Sequence, residues 1–517
     1  MEFEGIIQEV FGNSRQIIRS IIIFSLAFLC FEYLRSILNG YSAFWFDPAR
    51  DFTLALSNLK KISLIGSPTG IPSVFYGPYW IWLISLGMLT TKDPALIIIF
   101  LQVIPYLVIF PALFFKFKKF FSKEIILALL WLFYLSSGSY IVQIWNINYA
   151  PLIFLATTYL VIALSSLRKP TLKFLCLFII AILNALLINF HFSFGFAVSL
   201  STVIFITISQ LKEILFQNEK VISKIKNIVY SFFAYFFGFL LIETPVLLFE
   251  LRHNFLQTKA LVRTLAEAFL YGSAVVGQTG LKKYEILNTI FFSKPARVIG
   301  INALSIEIIY ALIVLTIIYL IAKRKLKEIA LPKTLTLYLG ITIISISIVY
   351  TSSKNPIFDY HFAGLEIVVL LLLGIIIKNI NYLKKLLYIW VFILIVQNAF
   401  VFIKYYNYVQ YQGTPLWLKT AIVKTIYEDT GNYKFQTFAY SPAIYTYDYD
   451  YIFYWLGTYY KSQPSQNSQK TVYLIIPNTS KDIYYDFINY KTPNGIYKSK
   501  KVWVMIDGTT ILKREKN

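Results

Sequence analysis

The sequence predicts an all-α multi-span membrane domain followed by a small C-terminal α/β soluble domain. Hydrophobic residues make up 57% of the 517-residue chain and charged residues only 14%, with a mean hydropathy of +0.63. Apolar runs of roughly 18 residues or more recur along the chain, and runs of that length are typical of membrane-spanning helices. From about residue 405 the pattern changes to short alternating stretches, which are typical of strands.

The apolar runs predict about eleven spans, with interfacial helices in the first outer loop. The stretch 78–91 is about 14 residues long and begins with aromatic residues, so we expect it to lie in the outer interface without crossing. The N-terminus has acidic residues and lacks the basic start of a cleavable signal, which favours a retained first span. The predicted spans lie near 17–38, 95–115, 124–138, 149–167, 172–189, 194–211, 227–249, 303–322, 334–351, 361–378 and 387–404.

Basic residues give the chain a net charge of +22, and most of them lie in short connections between apolar runs. This distribution follows the positive-inside bias and is not that of a nucleic-acid-binding face, so no nucleic-acid partner is expected. The expected location is the cell (plasma) membrane, with a cytoplasmic N-terminus. The clusters predicted to be cytoplasmic are Lys116/Lys118/Lys119/Lys123, Arg168/Lys169/Lys173, Lys220/Lys224/Lys226, Lys323/Arg324/Lys325/Lys327 and Lys384/Lys385.

This orientation places four pieces of chain outside: the first loop (39–94), a turn near 139–148, the loop 250–302 and everything after about 405. The predicted domains are a membrane domain, 1–404, and an extracytoplasmic soluble domain, 405–517. In the second domain, TVYLIIP and KVWVMID are predicted strands, separated by the turn sequences NTSKD and TPNG. The two cysteines both fall inside apolar runs and do not imply a disulfide framework.

The first outer loop begins with the charged sequence FDPARD, directly after an apolar run. Asp47 before Pro48 is a good helix cap, and Arg50 and Asp51 would then form a solvated face. The same carboxylate, fixed near a low-dielectric boundary, is also suited to take a proton from a hydroxyl, with Arg50 keeping it ionised. The two interpretations are compatible. Asp47 is therefore the candidate catalytic residue, supported by Arg50 and Asp51.

Polar and aromatic residues recur at other predicted outer boundaries. Trp145, Asn146 and Asn148 offer one stacking surface and two amides, which suit a sugar, although an ordinary interfacial turn has the same composition. His191 is either a satisfied interfacial residue or a functional one. Tyr79 belongs to an aromatic segment that is typical of a membrane-interface belt. These five residues are the candidates for binding sugar or acceptor.

Basic residues at two outer boundaries are candidates for binding a lipid phosphate. One predicted span ends in Glu250, Arg252 and His253, while Lys354 and His361 lie at another boundary. Cations just outside an apolar span suit a phosphate head group, and the alternative is plain snorkelling. The predicted position weakens the snorkelling interpretation, because positive residues are otherwise scarce on the outer side. Glu250 is a candidate for supporting the catalytic group.

The sequence lacks the motifs of several other chemistries. It contains no phosphate-binding glycine loop, no HExxH and no paired CxxC. No predicted cytoplasmic stretch is long enough to fold as a nucleotide-sugar domain. We therefore expect any chemistry to act on a substrate delivered in the membrane, at its outer face.

Taken in order, these motifs resemble the GT-C glycosyltransferases, in particular the family 39-like proteins related to protein mannosyltransferases and the aminoarabinose-to-lipid-A transferase. The resemblance rests on FDPARD, GPYWIWLISLG, WNIN, HFSFG and LLFELRHNF, and it covers the membrane part. It implies inverting transfer of a sugar from a polyprenyl- or dolichyl-phosphate carrier to a protein, lipid or polysaccharide acceptor outside the cytoplasm. Asp47 would be the general base. Arg252 would bind the carrier phosphate, with His253, Lys354 and His361 as further candidates.

Two departures from the family pattern bear on metal binding. The family often has Asp-Glu where this chain has Asp47-Pro48, and an acidic, basic or histidine residue where this chain has Phe75-Tyr76-Gly77. Both departures remove possible metal ligands, so we expect no metal and no other cofactor. Catalysis would then depend on positioning and electrostatics, because a lipid phosphate leaves readily once its charge is balanced.

Three other functions remain open from the sequence. A flippase or transporter of lipid-linked sugars would carry functional charges near mid-membrane, often in two similar halves. Glu243, Glu307 and Glu366 lie in or near apolar runs, but no repeated halves are found. An O-antigen polymerase or ligase is expected to use arginines in a large outer loop, and a non-catalytic scaffold would bind a partner through its C-terminal domain.

Overall fold

The fold is known from a computed structural model. The structure describes residues 2–216, 221–271, 281–300, 332–353, 357–379, 386–397, 415–431, 433–441 and 447–517. The predicted span 303–322 and the predicted boundary at 404/405 lie outside the described residues, as does the end of the predicted span 387–404. The division into domains 1–404 and 405–517 therefore stays a prediction.

The membrane domain is a bundle of helices. Among the described residues, seven helices are long and apolar enough to cross a bilayer, and each falls on a predicted span. A span needs about 20 apolar residues, because each residue adds about 1.5 Å along the helix axis. The multi-span helical class is confirmed. The seven are Arg19–Leu38 (the end of Glu2–Leu38), Pro94–Lys119, Asn146–Leu164, Pro170–Phe190, Phe192–Lys212 (within Phe192–Phe216), Ile228–Arg252 (within Val221–Arg252) and Lys333–Ser352.

Two further predicted spans are shorter helices. Lys123–Ser137 and Leu365–Asn379 have 15 residues each, and most of their side chains are buried by neighbouring helices. The second starts at Leu365 and not at the predicted 361, because Asp359–Phe362 forms a separate 3₁₀ turn. The remaining described helices of this part are Ser139–Val142, Leu256–Tyr271, Lys283–Asn288, Lys294–Ile299 and Leu386–Gln397.

The loop 39–94, predicted to lie outside, contains two short helices, Phe46–Asn58 and Tyr79–Thr90. The second has 12 residues, close to the predicted interfacial segment 78–91 and too short to cross a bilayer. The two helices pack together through Ser85, whose hydroxyl donates to the Ala55 carbonyl at 3.0 Å and accepts from the Asn58 amide at 2.9 Å. The loop is therefore a folded platform.

The C-terminal domain contains a four-stranded sheet with the strand order β1-β2-β4-β3, where β1 and β2 are parallel and the other pairs are antiparallel. The sheet is buried on both sides at β2: Val472, Leu474 and Ile476 pack on one side, and Tyr473 and Ile475 pack on the other. The predicted strand TVYLIIP corresponds to β2, and the first four residues of KVWVMID form the end of β3, whereas its last three lie in the turn that follows. The elements are Leu416–Thr430, β1 (Phe435–Ala439), Asp450–Tyr460, β2 (Thr471–Ile476), Lys481–Lys491, β3 (Tyr497–Val504) and β4 (Thr510–Lys516).

The C-terminal domain docks on the loop 39–94. Backbone N–H groups of Leu416 and Trp417 donate to the carbonyls of Ser42 and Gly40, both at 2.9 Å. Gly40 has a φ of +70°, and a Cβ there would lie 3.0 Å from the Trp417 nitrogen, so this position requires glycine. Deeper in the interface, the Tyr451 ring packs edge-on against Phe52 with centroids 4.8 Å apart. The small domain thus covers one side of the helix Phe46–Asn58.

Asp429 should stabilise the C-terminal domain. It accepts hydrogen bonds from Lys501 at 3.0 Å, Lys513 at 2.9 Å and Tyr473 at 2.7 Å. Burial raises the pKa of this carboxyl, but the three donors outweigh burial and lower it to about 2. Because the folded pKa is below the unfolded value of about 3.9, the stabilisation is present above pH 4 and is lost as pH falls through about 2.

We expect Asp429→Ala to lower the free energy of unfolding by about 1–2 kcal/mol at pH 6, with the difference from wild type shrinking below pH 4. Thermal unfolding of the full chain in detergent, followed by tryptophan fluorescence, measures this. The matched control is Asp486→Ala, an exposed carboxylate on the helix Lys481–Lys491. Equal effects of the two substitutions would contradict the assignment.

Candidate active site

Arg50 bridges the two carboxylates of FDPARD. Asp47 and Arg50 are three residues apart in the helix Phe46–Asn58, which places them on one face. Arg50 Nη1 lies 2.9 Å from Asp47 Oδ1, while its Nε and Nη2 lie 2.9 and 2.8 Å from Asp51 Oδ1. Burial lowers the pKa of Arg50, whereas Asp51 and Asp47 raise it, and the net shift is upward. The guanidinium is therefore a fixed positive charge between two acids.

The two carboxylates have different environments. Asp51 is 1% exposed, and it also accepts from Ser67 Oγ at 2.6 Å and from Trp80 Nε1 at 2.9 Å. Burial raises the pKa of Asp51, and its bonds from Arg50, Ser67 and Trp80 act against this. Asp47, by contrast, keeps 29% of its side chain exposed. Asp51 thus holds the loop together through buried hydrogen bonds, whereas the Asp47 carboxylate stays partly accessible.

The prediction that Asp47 caps a helix starting at Pro48 is wrong. The helix begins at Phe46, its N-cap residue is Trp45, and no side chain caps it. Asp47 lies in the first turn, where a negative charge is favourable next to the helix dipole. The expected solvated face is also wrong, because Asp51 is buried and 11% of the Arg50 side chain is exposed. The charged residues face protein neighbours instead.

Aromatic rings line the site next to Asp47. The Trp45 and Trp145 rings meet edge to face with centroids 5.5 Å apart, and Trp145 lies 5.0 Å from the Tyr360 ring. Trp45 Nε1 also points at Asp47 Oδ2, at 3.4 Å. The predicted stacking residue Trp145 thus reaches the same place as Asp47. A wall of this kind can hold the apolar face of a sugar ring.

Two tyrosine hydroxyls that are not among the predicted site residues share this space. Burial raises the pKa of Tyr76, and the nearby Tyr360 and Asp47 raise it further. Burial and Asp47 likewise raise the pKa of Tyr360. Both hydroxyls therefore stay protonated and lie within electrostatic reach of the Asp47 carboxylate. They are hydrogen-bond donors available to a ligand at this point.

The predicted amides Asn146 and Asn148 are buried in the turn that carries Trp145. Asn146 Nδ2 donates to the Phe190 carbonyl at 2.9 Å, and Asn148 Nδ2 donates to the Gln143 carbonyl at 2.7 Å. Their donors are thus used by the backbone, which favours the interpretation as a structural turn. Sugar binding by these two amides stays a prediction.

His191 and His361 meet behind Tyr360. Their ring centroids are 6.0 Å apart, His191 Nε2 bonds to the Tyr360 carbonyl at 3.2 Å, and His361 Nδ1 accepts from the Phe358 N–H at 2.9 Å. Burial lowers the pKa of His361 to about 4. At neutral pH His361 is therefore uncharged, so it could offer a phosphate a hydrogen bond but no full charge. Both rings hold the turn that presents Tyr360.

Tyr79 lies away from Asp47's aromatic wall. Its hydroxyl donates to the carbonyl of Ile242, which ties the helix Tyr79–Thr90 to a span. The preceding Gly77 is in close contact with the same region, because a Cβ there would lie 1.6 Å from Asn189 Oδ1. Gly77-Pro78 is therefore needed to let the chain pass Asn189. This supports a structural reason for the GPYW sequence.

Glu250 caps the helix Leu256–Tyr271. Its oxygens accept from the Gln257 N–H at 2.9 Å, from the Thr258 N–H at 2.8 Å and from the Thr258 hydroxyl at 2.6 Å. This gives Glu250 a structural part and leaves its predicted supporting role untested. The same helix start reaches the first loop, since Gln257 Oε1 accepts from the Phe75 N–H at 2.7 Å.

The predicted phosphate ligands next to Glu250 lie on the flank of the site. Arg252 and His253 are exposed, and the His253 ring stacks on Phe249 with centroids 4.0 Å apart. Phe249 in turn contacts Phe75, the neighbour of Tyr76. Lys354, the other predicted cation, lies outside the described residues.

A second buried ion pair lies next to the Tyr360 turn. Lys294 pairs with Glu366, whose other oxygen accepts from the Gly364 N–H at 2.8 Å. Three residues after Lys294, Arg297 Nη2 lies 3.3 Å from Asp359 Oδ2. Sequence reasoning missed Lys294 and Arg297, because their partners are distant along the chain. They add two cations to the surroundings of Tyr360.

In the part of the chain that the structure describes, no three His, Cys, Asp or Glu side chains are grouped to hold a metal ion. The expectation of a metal-free, cofactor-free reaction remains a prediction.

Comparisons with known proteins bear on the fold. No protein-family model and no curated protein matches the sequence. Among solved structures, the chain is similar to the crystal structure of ArnT from Cupriavidus metallidurans bound to undecaprenyl phosphate. The TM-score is 0.52 over 96% of this chain and 98% of that one, with 10% sequence identity. This structural similarity confirms the GT-C fold that the resemblance predicts.

We expect Asp51→Asn to destabilise the protein far more than Asp47→Asn. An amide at position 51 would leave the largely enclosed Arg50 charge, 11% exposed, without its closest partner and would face the Trp80 N–H with a second donor. Breaking a buried pair in this way costs about 3 kcal/mol, whereas a partly exposed pair contributes about 1 kcal/mol or less. Melting temperatures of the two variants in detergent measure the difference, and equal loss would contradict the division of roles.

Proposed function

We propose that this chain is an integral membrane glycosyltransferase. It would move a sugar from a polyprenyl- or dolichyl-phosphate carrier to a protein, lipid or polysaccharide acceptor on the extracytoplasmic side, with inversion. The observation that carries the proposal is Asp47, a partly exposed carboxylate held by Arg50 beside an aromatic wall. The fold shared with ArnT, which was crystallised with undecaprenyl phosphate, supports a lipid-phosphate substrate.

In this proposal Asp47 is the general base. It accepts the proton of the acceptor hydroxyl as the acceptor oxygen forms a bond to the anomeric carbon. The bond between that carbon and the phosphate oxygen breaks on the opposite face, and the carrier phosphate leaves with the electron pair. A positioned base of this kind commonly contributes about 10²–10⁴-fold. Arg50 fixes the carboxylate, and Asp51 fixes Arg50, so little reorganisation is needed during the reaction.

The aromatic wall and the two tyrosines would bind the sugar. Trp145 and Trp45 present ring surfaces, and the hydroxyls of Tyr76 and Tyr360 donate hydrogen bonds next to Asp47. Contacts from His191, Asn146 and Asn148 would then be indirect, through the turns that carry Tyr360 and Trp145. Tyr79 would act at a distance, by holding the helix Tyr79–Thr90 in place.

The carrier phosphate needs cationic partners, and the described residues offer them on two flanks. Arg252 and His253 lie on the Phe75 side and remain the first candidates, because both are exposed next to the end of a span. Arg297 lies on the Tyr360 side, with 58% of its side chain exposed. Lys354 keeps its proposed role by its position in the sequence. His361 would contribute a neutral hydrogen bond.

The proposed topology follows the same arrangement. The N-terminus would be cytoplasmic and the C-terminal domain extracytoplasmic, because that domain docks on the loop that carries Asp47. The protein would lie in the cell membrane, with no nucleic-acid partner and no metal or other cofactor.

Purified protein in nanodiscs, given a panel of radiolabelled polyprenyl-phosphate sugars, tests the proposal. We expect wild type to release polyprenyl phosphate with transfer of label to an acceptor or to water. Asp47→Asn should reduce this rate by about 10²-fold or more while the protein stays folded. The matched control Asp486→Asn, the same change on the exposed surface of the C-terminal domain, should have wild-type turnover.

Two outcomes would contradict the proposal. Turnover that survives Asp47→Asn would remove Asp47 as the base. In sealed proteoliposomes, labelled lipid that crosses the bilayer with no carrier turned over would support a flippase in place of a transferase. Parallel assays of Arg252→Gln and Arg297→Gln would show which flank binds the phosphate, because loss of a phosphate ligand raises the donor concentration needed for half-maximal rate.

A further inference from the structure

The helix Leu256–Tyr271, called the outer helix below, is held at a fixed angle to the span that precedes it. Asn254 and Phe255 connect the two with φ values of 52° and 59°, a left-handed conformation that is strained for a phenylalanine. The Glu250 carboxylate caps the outer helix, and the Phe255 N–H donates to the Glu250 carbonyl at 2.8 Å. The connection through Asn254 and Phe255, called the elbow below, is therefore held in place by hydrogen bonds.

The exposed side of the outer helix carries an apolar row beside a basic row. Val262 and Ala266 form the apolar row, and Lys259 and Arg263 form the basic row. Within each row the residues are four apart, and each basic residue lies three positions before its apolar neighbour, so the rows run side by side. Val262 is 60% exposed and Phe255, at the elbow, is 48% exposed. Two adjoining rows of this kind are typical of a helix lying at a membrane surface.

The elbow lies at the end of the exposed apolar surface of the preceding span. The preceding span exposes large apolar side chains along its length, among them Phe232 at 63% and Leu251 at 64%. Leu251 is followed directly by the exposed bases Arg252 and His253. The outer helix therefore starts at the bilayer boundary. There, its apolar row can enter the acyl region while its basic row meets the head groups.

We propose that the outer helix docks on the surface of the surrounding leaflet by binding anionic phospholipid head groups. The occupant is an anionic lipid because the positive charges of Arg252, Lys259 and Arg263 outnumber the one acid of the outer helix, Glu267, and each base near an anionic surface strengthens binding about fivefold. This docking goes beyond the proposed transferase function and does not require it. Through Gln257 and Phe75 it would also connect the lipid surface to the loop that carries Tyr76.

A fluorescence-quenching experiment on the full chain tests this. The free cysteines Cys30 and Cys176 are replaced by alanine, Val262→Cys is labelled, and the protein is placed in nanodiscs. Brominated phosphatidylglycerol and brominated phosphatidylcholine are compared at equal mole fraction. We expect the anionic quencher to be more effective by about twofold or more, and the preference to fall toward one in Lys259→Gln/Arg263→Gln and at high salt.

Two controls keep the result interpretable. A label at Ile344→Cys, which is 60% exposed on the span Lys333–Ser352, should be quenched equally by both lipids in every variant and reports correct insertion. Lys498→Gln/Lys500→Gln, an equal loss of exposed charge on β3, should leave the preference at position 262 unchanged.

Three results would overturn the proposal. No quenching at position 262 would place the outer helix against protein or solvent. Equal quenching by both lipids would mean contact without selection for anionic head groups. A preference that survives loss of Lys259 and Arg263 would mean that these bases do not select the lipid. This experiment does not measure sugar transfer. The docking proposal can therefore fail while the transferase proposal stands, and the transferase proposal can fail while the docking proposal stands.

Discussion

The guanidinium of Arg50 between two carboxylates is the interaction on which the geometry of the site depends. One turn of helix supplies all three charges, but only Asp51 is buried. A buried charge must be paired and hydrogen-bonded, and here Arg50, Ser67 and Trp80 do this for Asp51. Those bonds join the helix Phe46–Asn58, the connecting segment that carries Ser67 and the helix Tyr79–Thr90. As a result Arg50 is fixed, and it presents its remaining nitrogen to Asp47.

Around this centre, each neighbouring segment is held by its own polar contacts. Two neutral histidines hold the turn with Tyr360, and two amides hold the turn with Trp145. The C-terminal domain covers the other side of the same helix. These histidines and amides were predicted to bind a ligand directly. In the structure they mainly hold the turns that carry Tyr360 and Trp145. The accessible groups left at the centre are a carboxylate, ring faces and two tyrosine hydroxyls.

Structural features that depend on local or periodic residue patterns can be predicted from the sequence. The spans follow from runs of apolar residues, the interfacial helix from its length, and the pairing of Asp47 with Arg50 from a spacing of three. The sequence cannot predict pairs that folding brings together. Trp80 is 29 residues from Asp51, and Tyr140 is 226 residues from Glu366, so nothing in either local pattern points to the other. The predicted helix start was wrong because the helical hydrogen bonds begin earlier, with the Ala49 N–H donating to the Trp45 carbonyl at 3.1 Å, which makes Trp45 the N-cap residue.

An electron cryo-microscopy structure of the chain in a nanodisc, with a non-hydrolysable polyprenyl phosphonate sugar bound, tests the central claim most directly. The account predicts the sugar against Trp145 and Tyr360, with Asp47 facing the anomeric carbon from the side opposite the phosphorus. It also predicts that the contacts of Arg50 with both carboxylates are retained. A sugar bound elsewhere, or an Arg50 that leaves Asp51 to bind the phosphonate, would contradict it.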